Sequence, residues 1–208
     1  MTAYIVCGWY TPDYKRWADK LSAGLDRLGI DRDIVAVPKL DGGWERNTLR
    51  KAAEVRRAID RHPDRPIVFL DVDCEVLGPL DDLVNTRADV RLYIRVKRRR
   101  SSGEVKWGGI RSGTMVLNPT SGARELVDLW VAESEAAHYG DVDQSTLAIA
   151  LAKASSTSYA PMPLAYCATI GDKHPYPIIL HDSASKDTQT ISGLRRRLTA
   201  LVKLKMAA

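Results

Sequence analysis

The sequence has little of what would make it a disulfide scaffold, a zinc module or a membrane protein. Its three cysteines, Cys7, Cys74 and Cys167, are odd in number, far apart and without a CxxC pair. That pattern argues for buried free thiols in a reducing, cytoplasmic setting. No apolar run approaches the roughly 20 residues that a membrane helix needs, and the opening residues do not read as a signal peptide. There is no internal repeat and no low-complexity segment. Net charge is only +5, and much of it sits in two clusters, 97–100 and 195–205. Charge this local points to an anionic partner at particular places and not to a general nucleic-acid binder.

What remains is ordinary globular material: 208 residues, 45% hydrophobic and 27% charged, enough for one α/β domain with a full core. Residues 1–190 are expected to form it, with 191–208 as a short basic amphipathic helix. That helix would pack on the domain, pair with another subunit, or lie on anionic lipid through 194–205.

The chain opens β-α-β. Residues 4–8 read as a strand ending in a glycine turn. Thr11 and Pro12 then start a helix that Gly29 stops, and Ile34 begins a second strand. This implies a parallel pair with a right-handed crossover. It puts Tyr10 and Thr11 at the C-terminal sheet edge, where ligands of open α/β sheets bind. Residues 45–61 read as one basic helix whose Arg50 or Lys51 would reach a phosphate. Residues 97–109 read as a loop over a site or an exposed hairpin arm.

Ile67-Val68-Phe69-Leu70 is a short, all-apolar run between Pro66 and a turn, so it reads as a central strand buried on both faces. It ends in Asp71-Val72-Asp73. Two carboxylates one residue apart are costly there without a positive partner, and oxygen ligands suit Mg, Ca or Mn. The alternative is an acidic strand end facing solvent. A later strand, 110–117, starts with the small residues Ser112-Gly113-Thr114. The cluster Asp141-Val142-Asp143-Gln144 precedes a helix, with Asp141 as its cap. A second apolar run, Ile178-Ile179-Leu180, ends in His181, a candidate third ligand.

In this order these segments resemble nucleotide-sugar glycosyltransferases of the GT-A fold with a DXD motif, and are most similar to family 8 and related retaining transferases. The resemblance runs from Tyr4 to about Lys186. It implies a mostly parallel central sheet flanked by helices. It also implies Mn2+ (or Mg2+) held by Asp71, Asp73 and His181 on a donor diphosphate, with a UDP-sugar as the expected donor. Tyr10 and Thr11 would hold the base, Lys51 and Lys186 the phosphates or sugar, and Gly113 and Thr114 would border the sugar. Asp143 and Gln144 would act at the reacting centre, with a glycan, lipid or protein as acceptor. The late motif departs from the family's longer His-Gly-Lys-Pro-Trp pattern, having only His181-Asp182-Ser183 and Lys186. Two rivals stay open at this point: a nucleotide-sugar-binding module without turnover, and a phosphatase using Asp71 as nucleophile.

Overall fold

The computed structural model describes residues 2–98, 101–102 and 105–181. Lys186 and the expected helix at 191–208 lie outside the described residues. Within them the chain runs β1 (Ile5–Tyr10), α1 (Lys15–Arg27), β2 (Arg32–Ala36), α2 (Gly43–Leu49), α3 (Lys51–Arg61) and β3 (Ile67–Leu70). It continues through β4 (Cys74–Val76), α4 (Asp81–Val84), β5 (Val90–Arg98), β6 (Val105–Leu117), α5 (Ser121–Glu135) and α6 (Asp143–Lys153). Three short strands finish it: β7 (Tyr159–Pro161), β8 (Ala168–Thr169) and β9 (Ile179–His181).

The central sheet has the order β2-β1-β3-β6-β5-β7. The pairs β1–β2, β1–β3 and β5–β7 are parallel, whereas β6 runs antiparallel to β3 and β5. β3 is buried along its whole length, as its unbroken apolar sequence requires. One core fills the sheet face under α1, with Leu21, Leu25, Val68 and Leu70. The other fills the face under α3, α5 and α6, with Val55, Phe69, Leu126 and Trp130.

Several boundaries differ from the sequence expectation. Gly8 is not a turn but lies inside β1, where an added Cβ would sit 2.9 Å from the Leu70 carbonyl oxygen; glycine lets the two backbones approach. The single helix expected at 45–61 is two, α2 and α3, meeting at Arg50. Asn47 holds α2 to its own entry loop, donating to the Leu40 and Gly43 carbonyls at 2.9 and 2.8 Å. Of the two readings of 97–109, the pairing of Lys97 with Lys106 and Arg98 with Val105 agrees with the hairpin arm. Thr11 precedes a single 3₁₀ turn, Pro12–Tyr14, without capping it through its side chain, so α1 starts only at Lys15. Val142, not Asp141, is the residue before α6.

Two features bring distant residues to the edge where β3 ends. Leu92 pairs with Met115 but Tyr93 pairs with Arg111, so residues 112–114 leave the β5 ladder as a bulge; a bulge re-aims side chains. The second feature is a small sheet, β4-β9-β8, absent from the sequence expectation. β4 pairs antiparallel with β9 and sets Cys74 opposite His181. Strand pairing thus carries a residue from the far end of the chain to the turn that holds Asp71 and Asp73.

Candidate functional site

β1 and β3 are parallel neighbours, so both deliver their C-terminal ends to one sheet edge. A cleft of about 270 Å³ opens there. Tyr10, Thr11 and Tyr14 line it from the end of β1, Asp71, Val72 and Asp73 from the end of β3, and Asp143 and Gln144 from the start of α6. Trp44, Asn47, Thr48 and Lys51, from α2 and the start of α3, close another side. Trp44 is 45% exposed, and nothing in the sequence pattern marks it or Trp9 as cleft residues.

One ligand atom each from Asp71, Asp73 and His181 lies within 4.8 Å of the others. The local structure explains the cluster. The Asp71 backbone NH donates to the Gly113 carbonyl at 2.9 Å, which extends the β3–β6 ladder one residue past the strand. Cys74 Sγ donates to the Asp71 carbonyl at 2.8 Å. His181 is brought in by β9, and its Nε2 lies 2.8 Å from the hydroxyl of the fully buried Thr114. Thr114 does not line the cleft; it orients the imidazole. Gly113 does not line it either. A Cβ at Gly113 would fall 2.7 Å from His181 Cε1 and 3.1 Å from Asp71 Oδ2, so the glycine makes room for both groups.

The donor set fits a divalent cation. Two carboxylates suit a hard ion, and the imidazole favours Mn over the oxygen-seeking Mg and Ca. Burial pushes His181 down to about 4, against the pull of Asp71. The ring is therefore neutral near pH 7, the form that can ligate a metal.

Lys51 is the buried pivot of the site. Its Nζ lies 2.8 Å from Asp71 Oδ1 and 2.5 Å from Asp143 Oδ2. Burial opposes the charge, but Asp143 and Asp71 outweigh it and hold the ammonium above its ordinary value. Ser112 donates to the same Asp143 oxygen at 2.6 Å. Ser112 is 1% exposed, and its small size is the one sequence cue to this role. Arg50, the other candidate cation, instead pairs with buried Glu54 at 2.6 Å. Trp130 fixes the start of α6 by donating to the Asp143 carbonyl at 3.1 Å and to Thr146 Oγ1 at 3.0 Å.

Thr11 is 4% exposed and its hydroxyl donates to Asp13 Oδ1 at 2.5 Å. Tyr10 is half-buried at the strand end and Gln144 is exposed at the rim. Outside the cleft, Arg111 makes two contacts to Asp172, at 2.5 and 2.9 Å, and donates to the Cys167 carbonyl at 2.7 Å. This clamp anchors β8, whose Thr169 pairs with His181.

No protein-family model matches the sequence, and no curated protein matches it. Solved structures do match by fold. A glycosyltransferase involved in glycosylation of the major capsid of PBCV-1 is 11% identical, with a TM-score of 0.64, over 87% of this chain and 93% of that one. The glycosyltransferase GlyE of Streptococcus pneumoniae TIGR4, in its apo form, gives 16% identity and a TM-score of 0.57. There the match covers 87% of this chain and 54% of that chain, so this chain spans about half of GlyE. The galactosyltransferase LgtC, solved with donor and acceptor sugar analogues, is 10% identical, with a TM-score of 0.55, over 86% of this chain and 87% of that one. At such identities the likeness is one of fold, and this chain has the α/β fold of these glycosyltransferases.

Proposed function

We propose that the protein is a metal-dependent glycosyltransferase that moves a sugar from a nucleotide-diphosphate donor, a UDP-sugar, to an acceptor, with retention at the anomeric carbon. The observation that carries this reading is the convergence of ligand atoms of Asp71, Asp73 and His181 within 4.8 Å of one another, with Asp71 and Asp73 lining the same cleft as Tyr10 and Asp143. The shared fold with solved glycosyltransferases supports it.

In this reading Asp71, Asp73 and His181 hold the cation, whose charge would stabilise the departing diphosphate. Tyr10 offers a ring face to the base. Lys51 holds Asp71 and Asp143 in place, and its buried charge lowers the cost of bringing phosphates beside them. Asp143 presents a fixed carboxylate to the sugar, where positive charge develops at the anomeric carbon. Both of its contacts from Lys51 and Ser112 fall on Oδ2. A carboxylate fixed in this way is placed for electrostatic support of the anomeric carbon, the role it would have in a retaining reaction. Gln144 reaches the sugar or acceptor hydroxyls from the rim.

The test is UDP binding by calorimetry with and without Mn2+, in the native chain and in Asp73→Asn. The expected result is at least tenfold weaker binding without metal and in the variant. Equal affinity in all cases would reject the proposal. Metal-dependent UDP binding with neither donor hydrolysis nor transfer to any glycan or lipid acceptor would favour a binding module without turnover.

A further inference from the structure

A second group of metal-ligating side chains lies on the α3 face of the sheet, away from the cleft. Cys7 of β1 and Asp33 of β2 are register partners in the parallel ladder. His62 is the residue that ends α3. One ligand atom from each lies within 4.8 Å of the others. We propose that Cys7, Asp33 and His62 form a three-ligand site for a borderline-soft divalent ion, Zn2+, separate from the cation site of the cleft.

The chemistry of the set argues for zinc. Thiolate, imidazole and carboxylate are its usual ligands, whereas a thiolate is a poor partner for Mg or Mn. The two groups of residues would therefore sort metals, the oxygen-rich cleft taking the harder ion. The geometry supplies both an anchor and an entrance. Cys7 is fully buried, while the side chains of Asp33 and His62 are each 21% exposed. His62 Nε2 already lies 2.8 Å from Asp33 Oδ2, and Arg61 donates to that oxygen at 2.7 Å. Binding forms the metal–sulfur bond and releases the thiol proton to water. It also exchanges the Arg61 contact for the ion, and the 38%-exposed Arg61 side chain turns to solvent. These costs make the site a modest binder. Burial pushes the Cys7 thiol up to about 12, with Asp33 adding to that and Arg61 and Arg65 opposing it. The structural consequence is a staple: an ion here ties the end of α3 to β1 and β2, and α3 begins with Lys51.

Cobalt is the probe, because a cobalt–thiolate bond gives a near-ultraviolet charge-transfer band that oxygen and nitrogen ligands do not. The metal-free full chain is titrated with Co2+ and then with Zn2+. The native chain, Asp73→Asn and Cys74→Ser should all show the band, and excess Zn2+ should abolish it. Cys7→Ser should lack it, and His62→Gln should bind at least tenfold more weakly. His62 is part-exposed, so that variant carries the test if Cys7→Ser fails to fold. Absence of the band in the native chain, its survival in Cys7→Ser, or unchanged affinity in His62→Gln would overturn the proposal. Because Asp73→Asn disables the cleft ligands alone, failure there and failure here are told apart.

Discussion

Gly113 and His181 are in such close apposition that a single methyl group would force them apart: a Cβ on the glycine would lie 2.7 Å from the imidazole Cε1. The same carbon would crowd Asp71 Oδ2 at 3.1 Å. Gly113→Ala should therefore displace a ligand rather than unfold the protein, at a cost of about 1–3 kcal/mol as for other overpacked sites. Mn2+ affinity, read by electron paramagnetic resonance, should fall at least tenfold. Gly24→Ala is the control, since its nearest neighbour would be 3.9 Å away. Equal losses in both variants, or none in Gly113→Ala, would remove the steric explanation.

Lys51 neutralises two carboxylates from a position only 6% exposed. Lys51→Met leaves Asp143 buried with no cation beside it, and breaking a buried pair typically costs about 3–5 kcal/mol. Urea denaturation should show that loss in the single variant. Lys51→Met with Asp143→Asn should recover part of it, because the stranded charge is gone. A double variant no more stable than the single one would mean that packing, not charge, explains the effect.

The Arg111–Asp172 clamp predicts an acid-sensitive share of stability. Hydrogen bonds from Arg111 hold the Asp172 carboxyl well below the usual carboxylate range, although burial works the other way. A depressed carboxylate stabilises the fold above its unfolded value of about 4, and that contribution is lost as pH falls towards the folded value. Arg111→Gln should thus be less stable than the native chain at pH 7, by on the order of 2 kcal/mol. The gap should narrow steadily below about pH 4. A gap independent of pH would assign the loss to the Cys167 carbonyl contact instead.

The three thiols offer a simple solution check. Cys7, Cys74 and Cys167 are all buried. Burial raises all three, to about 12 for Cys7 and about 11 for Cys167, and well above the ordinary value for Cys74. The native, metal-free chain should show no fast-reacting thiol with Ellman's reagent at pH 8, and three after unfolding. A rapid native thiol would contradict the burial of that strand.

Part of this architecture is visible in the sequence for definite reasons. The unbroken apolar run at 67–70 and its carboxylates announce β3, and the β-α-β opening announces the parallel edge where Tyr10 lies. Arg50 and Lys51 are equally visible as cations before that strand, and the residues alone do not choose between them; in the structure Arg50 pairs with Glu54 and Lys51 with Asp71. What stays hidden depends on pairing between distant segments. β4 is three residues long, and only its partner β9 makes it a strand. Thr114 and Ser112 look alike as small polar residues, yet one bonds His181 and the other bonds Asp143. Trp44 follows Gly42-Gly43 in a stretch that reads as a loop, whereas it lies in α2 and borders the cleft.

The excursion of residues 112–114 from the β5 ladder has a consequence for how this protein can change. Three adjacent residues serve one linked site, with Ser112 supporting Asp143, Thr114 supporting His181, Gly113 leaving space for His181 and Asp71, and Lys51 joining Asp71 to Asp143. Loss or gain of one residue here would put Gly113 where one of the two hydroxyls now lies and draw the other away from its partner. Asp143 and His181 therefore depend on one short spacer, and a change in its length would be felt at both.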